Sequence, residues 1–167
     1  AYQAATYLLK KGHRRIYYIN LVEHLLQSQF RLSGFKLAHE EFGIPWIEEN
    51  HTFCDVSRDD AASVMQEAFR NGARHATAIV TSNEMQAWGV IKVVQEKQIH
   101  IPQQMAIVSM GGSALATLGH PNLTTLDFSP AKIGMESAKM LIEVIERKRI
   151  RPSHLIVPGR LIEREST

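Results

Sequence analysis

Short apolar runs rich in β-branched and aromatic residues alternate along this chain with longer segments of helical periodicity. This alternation, with short connections, predicts parallel strands joined by helices, because two parallel strands need a long crossover between them. The predicted strands are residues 15–20, 52–54, 78–81, 105–110 and 124–127. The pattern therefore predicts an α/β fold, in which helices flank a mostly parallel sheet on both faces.

Start and stop signals delimit the predicted helices. The first covers residues 2–11 and ends at Gly12, a residue that tolerates the left-handed helix cap. Ser57 with Asp60 resembles a capping box at the start of the third helix, which we expect to end at Gly72. Pro130 begins the last predicted helix. Two further helices are predicted from the apolar spacing of Leu32, Phe35, Ala38 and Phe42, and over residues 84–97.

Composition excludes several classes of protein. The 167 residues carry a net charge of only +2, which gives no indication of a nucleic-acid partner for this segment. The single cysteine, Cys54, cannot form an internal disulfide and fits a reducing compartment. No apolar run approaches the roughly 20 residues of a membrane span. We expect a cytoplasmic protein without membrane contact, and a fragment of a longer chain, since the sequence begins abruptly where a helix is predicted.

Polar and glycine-rich turns follow the predicted strands. In open parallel sheets, ligands bind beyond the carboxyl ends of the strands, so these turns are the candidate site. The candidate ligand-binding residues are Arg31, Asp55, Asn83, Gly111, Gly112 and Ser113. Each also has a simpler explanation from the residues alone, since Asn83 can cap a helix, Arg31 can be solvated and paired glycines can form a tight turn.

The sequence offers no recognisable catalytic or metal-binding pattern. Its eight histidines are scattered without metal-ligand spacing, and no nucleophile or phosphate-loop motif occurs. An enzyme on the same scaffold would have to use Asp55, Glu84 or Ser113, none of which has an evident partner. We therefore predict no enzymatic activity, no cofactor and no metal. Two basic clusters, at residues 10–15 and 147–151, are more typical of helix ends than of a nucleic-acid surface.

Six motifs, in order and with matching spacing, make the chain resemble the lactose-repressor (LacI/GalR) family of transcriptional regulators over essentially its whole length. They are GHRRI at 12–16, RLSGF at 31–35, AIVTSNEMQAWG at 78–89, IPQQMAIV at 101–108, PNLTTL at 121–126 and LIERES at 161–166. Each motif is moderately specific, and their combination is highly specific.

The resemblance implies the effector-binding domain of a repressor, a periplasmic-binding-protein-like (type I) fold of two α/β lobes with the ligand between them. It implies a sugar-responsive homodimer that binds operator DNA through an N-terminal helix-turn-helix absent here. Residues 1–126 would form the C-terminal lobe, residues 127–150 a helix of the N-terminal lobe, and residues 151–167 a return segment. Without its lobe, we expect this helix to be displaced, mobile or packed on a neighbouring molecule. By position, Arg31 and Asn83 would contact the ligand.

One departure from the family pattern bears on the ligand. The family usually places an aspartate that binds sugar hydroxyls after the fourth strand, where this chain has Gly111 and Gly112. A paired-glycine turn is similar to that of sucrose-type operon repressors, which favours a sucrose-, fructose- or sugar-phosphate-like effector. A periplasmic sugar-binding protein of a transporter is the alternative function, because it would share the fold.

Overall fold

A computed structural model describes residues 1–71, 73–146 and 154–167 of the chain. Five α-helices and six strands alternate, with short 3-10 turns between some of them. The helices are α1 (Tyr2–Lys10), α2 (Leu26–Glu41), α3 (Arg58–Arg70), α4 (Glu84–Glu96) and α5 (Pro130–Ile145). The strands are β1 (Ile16–Asn20), β2 (His51–Phe53), β3 (Ala78–Thr81), β4 (Ala106–Gly111), β5 (Thr124–Asp127) and β6 (Arg160–Ile162).

The strands form one sheet in the order β2-β1-β3-β4-β5-β6. The first five are parallel, and β6 pairs antiparallel with β5 at the edge. This confirms the predicted α/β class and the five predicted strands to within one residue. Strand β6 was not predicted as a strand, since residues 151–167 were expected only as a return segment.

Helices cover both faces of the sheet, and the core divides accordingly. Because side chains alternate along a strand, Tyr17 and Ile19 of β1 face α3 and α4, whereas Ile16 and Tyr18 face α1 and α2. On the second face the ring of Tyr18 stacks on that of Phe35 with centroids 4.7 Å apart. These strand residues are buried, as expected for a sheet covered twice.

The expected helix caps form where the residues predicted them. The Ser57 hydroxyl accepts a hydrogen bond from the Asp60 N–H at 3.0 Å, and the side-chain Oδ1 of Asn83 accepts one from the Gln86 N–H at 2.8 Å. Gly12 has φ +97°, the left-handed conformation expected after α1. The helix end expected at Gly72 lies outside the described residues, as does the basic cluster at 147–151.

The segment after β6 ties two strands of the sheet together. The backbone N–H of Ile107 donates to the carbonyl oxygen of Ser166 at 2.7 Å, and the Ser166 N–H donates to the Asn122 carbonyl oxygen at 3.1 Å. Ser166 is fully buried between β4 and β5. Residues 160–167 thus complete the sheet.

Helix α5 is amphipathic but has no buried residue. Its apolar side chains remain exposed, including Ile133, Met135, Leu141, Ile142, Val144 and Ile145. This agrees with the expectation of a helix without its usual packing partner. Its assignment to a second lobe, with boundaries at 126 and 150, stays a prediction, and residue 150 lies outside the described part of the chain. None of the described helices is long and apolar enough to cross a membrane.

Candidate ligand-binding site

The carboxyl ends of the parallel strands form one rim of the sheet. Gly111 at the end of β4 pairs with Asp127 at the end of β5, and Thr81 of β3 pairs with Ser109 of β4. The turns after these strands therefore converge, as the sequence analysis predicted. An open cavity of about 540 Å³ lies beside the β1–α2 connection, lined by Glu23, His24, Leu26 and Gln29.

Arg31 lies in the second turn of α2 and reaches the end of β3. Its Nη1 is 3.5 Å from the Ser82 carbonyl oxygen, a long and therefore weak hydrogen bond. Its guanidinium carbon lies 5.8 Å from the centre of the Phe128 ring, within cation–π range. No other hydrogen bond or ion pair of Arg31 is found among the described residues. The side chain is half-buried and retains donors for a ligand.

In the Asn83 side-chain amide, the oxygen has a hydrogen-bond partner and the nitrogen has none among the described residues. Its side-chain Oδ1 caps α4, which accounts for the residue locally. Its Nδ2, however, is buried and has no hydrogen-bond partner in the part of the chain described. A buried amide nitrogen without a partner is costly, so a ligand or water acceptor is expected there. Capping alone therefore does not account for the placement of Asn83.

A buried polar network supports this rim from below. Gln86 donates through Nε2 to the carbonyl oxygens of Cys54 and Asp55, and its Oε1 accepts from the Ser82 N–H at 2.9 Å. Asn20 accepts from the Tyr18 hydroxyl at 2.9 Å and from the Ser82 hydroxyl at 3.2 Å. Burial raises the pKa of Tyr18 to about 12, so the hydroxyl remains a donor. The network joins the ends of β1, β2 and β3.

The paired-glycine turn adopts a conformation that side chains rarely permit. Gly111 and Gly112 have φ values of +144° and +85°. The N–H groups of Gly112 and Ser113 both donate to Oε1 of Glu84, at 2.7 and 3.0 Å. A direct role of this turn in ligand binding would need N–H groups free to approach an oxygen-rich ligand, but those of Gly112 and Ser113 already bind an internal carboxylate.

Asp127 is a rim residue that the sequence analysis did not single out. A Cβ atom on Gly112 would overlap its carboxylate, so the glycine is required by this close approach. Oδ1 accepts from the Ser129 N–H at 2.7 Å, and Oδ2 lies 3.5 Å from Nε of the exposed Arg160. Its position as the last residue of a predicted strand was the available signal, because strand ends form the rim.

The remaining predicted site residues have local roles. Asp55 is exposed, and its Oδ1 accepts from the Val56 N–H at 2.7 Å. The Ser113 hydroxyl accepts from the Leu115 N–H at 3.3 Å and caps a short 3-10 turn. Among the described residues, no contact joins the side chain of Asp55 or Ser113 to Arg31 or Asn83. Across residues 1–71, 73–146 and 154–167, no group of three His, Cys, Asp or Glu side chains is placed to hold a metal ion.

Comparison with known proteins gives relatives that are named as transcriptional regulators. The arabinose metabolism transcriptional repressor of Halalkalibacterium halodurans is 29% identical over 175 residues, which cover 99% of this chain and 46% of the relative. The HTH-type transcriptional repressor PurR of Escherichia coli O1:K1 is 29% identical over 165 residues, covering 99% and 48%. The chain thus spans about half the length of the curated relatives it matches. These relatives are named as transcriptional regulators and not as enzymes.

A solved structure and a family model agree with this grouping. The structure of the transcriptional regulator CelR in complex with cellobiose superposes with a TM-score of 0.93 at 24% identity, covering 99% of this chain and 50% of that one, which shows the shared fold. The model of the periplasmic binding protein-like domain matches residues 5–167. The chain therefore belongs to the periplasmic binding protein-like domain family.

Proposed function

We propose that this chain is the effector-binding domain of a sugar-responsive transcriptional repressor. The observation that carries the proposal is that Arg31 and Asn83 both lie at one rim with unused hydrogen-bond donors. The guanidinium of Arg31 is only weakly engaged, and the buried Nδ2 of Asn83 has no partner among the described residues. Both are donors, as recognition of hydroxyl and ring oxygens requires. Relatives named for arabinose metabolism and bound to cellobiose support a sugar as the ligand class.

The repressor would act through the rest of the longer protein. A ligand bound between this lobe and a second lobe, to which α5 would belong, stabilises one arrangement of the two lobes. That arrangement sets the separation of two operator-reading domains in a homodimer, and such a regulator works in the cytoplasm. The alternative of a periplasmic sugar-binding protein shares the fold, but the relatives reported above are named as transcriptional regulators.

A second copy of the chain would have an apolar surface to bind. An open groove of about 300 Å³ is lined by Met85, Trp88, Leu115, Leu118 and the glycine at 119, with Arg58 at its edge. Leu118 is 72% exposed and Met85 39% exposed, so the groove presents apolar atoms to solvent. Exposed apolar patches of this kind are typical of protein interfaces. We propose this groove as part of the homodimer contact.

The effector itself is proposed to be sucrose- or fructose-like, or a phosphate of such a sugar. The paired glycines at 111 and 112 support this, because they remove the side chain that the family pattern uses to bind hydroxyls. Arabinose and cellobiose follow from the names of the relatives and belong in the same panel.

A thermal-shift titration of the full-length protein tests the proposal. The panel contains sucrose, fructose, trehalose, arabinose, cellobiose, galactosides, purines and the phosphates of the first three sugars. One sugar should raise the melting temperature in proportion to the logarithm of its concentration. Arg31→Ala should abolish that rise, whereas the exposed Arg70→Ala should leave it unchanged. Stabilisation by a purine alone, or by no compound in the panel, would reject a sugar effector.

A further inference from the structure

The paired-glycine turn forms a cradle for an anion. Two consecutive N–H groups, those of Gly112 and Ser113, converge on a single oxygen atom. Successive backbone N–H groups in a turn of this kind bind phosphates and carboxylates in many proteins. Left empty, the cradle would hold one oxygen of a phosphorylated ligand at the same rim as Arg31.

In this chain the cradle is filled by Glu84. The carboxylate is held at 2.7 and 3.0 Å by the two N–H groups, and the residue is only 4% exposed. A Cβ atom at Gly111 would overlap both of its oxygens, so the glycine is what allows the carboxylate to approach. Because Glu84 is the first residue of α4, its negative charge is also stabilised by that helix terminus. The carboxylate is therefore firmly positioned.

A second carboxylate reaches the same turn from a different strand. Asp127 lies against Gly112, and its Oδ1 is held by the Ser129 N–H. Among the described residues, its Oδ2 has only the long 3.5 Å contact with Arg160, a side chain that is mostly in solvent. This oxygen keeps the capacity to accept a hydrogen bond from a hydroxyl group. The corner of the rim at the glycine pair is thus lined by two negative charges.

We propose that Glu84 is a specificity-determining residue that excludes phosphorylated effectors from this corner. A phosphate group would have to displace the carboxylate from its two donors and would lie beside Asp127, and like charges at close range repel. A neutral hydroxylated ligand meets no such barrier, and its hydroxyls can donate to Asp127. The inference rests on the proposed function, since it takes the rim as the effector site, and it selects the unphosphorylated sugars among the candidates.

Melting temperatures in inorganic phosphate, with chloride at matched ionic strength as the reference, test the role of Glu84. The proteins are the wild type, Glu84→Ala, Glu84→Gln and Glu96→Ala, a control on the exposed side of the same helix. Glu84→Ala should gain a phosphate-dependent rise of about 3 °C at roughly ten times the dissociation constant. The wild type and Glu96→Ala should show none. Glu84→Gln should show none either, because its amide oxygen still fills the cradle.

A phosphate response of the wild type as large as that of Glu84→Ala would overturn the proposal. So would a folded Glu84→Ala protein that ignores phosphate. Should Glu84→Ala fail to fold by circular dichroism, Glu84→Ser replaces it with the same expectation. The readout uses phosphate alone, so it is separate from the sugar panel. Silence of that panel together with a phosphate response of Glu84→Ala would reject the sugar effector and retain the anion-excluding role of Glu84.

Discussion

The hydroxyl of Ser166 accepts a hydrogen bond from the backbone N–H of Thr124 at 2.8 Å. The same hydroxyl donates to the carbonyl oxygen of Ile107 at 2.6 Å, so one side chain joins β4 to β5. Ser166→Ala would leave a buried N–H and a buried carbonyl oxygen without this partner. We expect a loss of about 1–3 kcal/mol in the free energy of unfolding, measured by urea denaturation.

Ser33→Ala is the matched control for that measurement. Its hydroxyl donates to the Gln29 carbonyl oxygen at 3.0 Å on the exposed side of α2. Exposed substitutions of this kind change stability by less than about 0.5 kcal/mol. Equal effects of the two substitutions would show that the bridge between the strands adds nothing.

Glycine 89 allows α3 and α4 to pack closely, and its replacement should be costly. A Cβ atom there would overlap the Arg58 carbonyl oxygen and lie 2.9 Å from the Ala62 nitrogen. We expect Gly89→Ala to lower the free energy of unfolding by about 1–3 kcal/mol, despite the better helix propensity of alanine. Gly134→Ala in α5 meets nothing within 4 Å and should instead be neutral or stabilising by up to about 1 kcal/mol. Both variants are measured by urea denaturation. A larger loss of stability in Gly134→Ala than in Gly89→Ala would contradict this close packing.

Three histidines should make the fold less stable in mild acid. Desolvation by burial lowers the pKa of His13, His39 and His51. As the pH falls below about 6.5, the unfolded chain therefore binds protons that the folded chain does not, and the free energy of unfolding decreases. We expect a decrease on the order of 1 kcal/mol between pH 7.5 and pH 5.5, measured by urea denaturation. Carboxylates with lowered pKa, such as Glu163, lose their contribution only below about pH 4.5.

His51→Phe isolates one of these groups. The His51 ring lies 4.5 Å from that of Phe53 in an edge-on contact, and its Nε2 has no partner among the residues described. A phenyl ring retains the packing without a titrating group, so the variant should show a shallower pH dependence. A steeper pH dependence of the free energy of unfolding in His51→Phe would show that His51 is not a cause of the instability in acid.

Helix α5 should exchange its amide hydrogens faster than α4 in the isolated chain. Eight residues of α4 are buried in the core, including Val90 and Val94, whereas none of α5 is buried. Helices without tertiary packing are marginal in water, so α5 opens at little cost. Hydrogen exchange followed by mass spectrometry compares the two helices directly. A monomer in which α5 is as protected as α4 would contradict the unpartnered state.

The groove beside Trp88 predicts a change in oligomeric state on substitution. Leu118→Glu places a charge where the proposed homodimer would bury an apolar side chain, so the full-length protein should shift toward monomer. Analytical ultracentrifugation measures the shift, and we expect at least a tenfold weaker dimer. Leu37→Glu, at another exposed leucine on α2, serves as the control. A dimer unaffected by Leu118→Glu would place the contact elsewhere.

The elements of this fold were predictable because their signals are local. The strand ending at Asn20 was recognised from its own residues, the cap at Ser57 from its spacing to Asp60, and the cap at Asn83 from its position before a predicted helix. The order of the strands and the antiparallel β6 were not, since they depend on pairing between distant segments. β6 is also short and lies at an edge, where burial does not impose an apolar pattern.

The residues of the candidate site also differ in whether a local sequence signal indicates them. Arg31 and Asn83 were placed at one rim from the position of the strand ends, and the structure supplies contacts for both. The carboxylate of Glu84 in the glycine turn involves residues 28 positions apart, which no local pattern indicates. Asp127 was recognised only as part of a strand, because its approach to Gly112 is a contact across the sheet.

The pairing of residues 160–167 with the middle of the sheet has a consequence for biosynthesis. Protein chains are made from the N-terminus, and the backbone partner of Ile107 is Ser166, 59 residues further on. While the ribosome still covers that segment, β4 and β5 lack these hydrogen-bond partners, and apolar residues beside them remain uncovered. The last step of sheet formation must therefore follow the release of residues 160–167 from the ribosome.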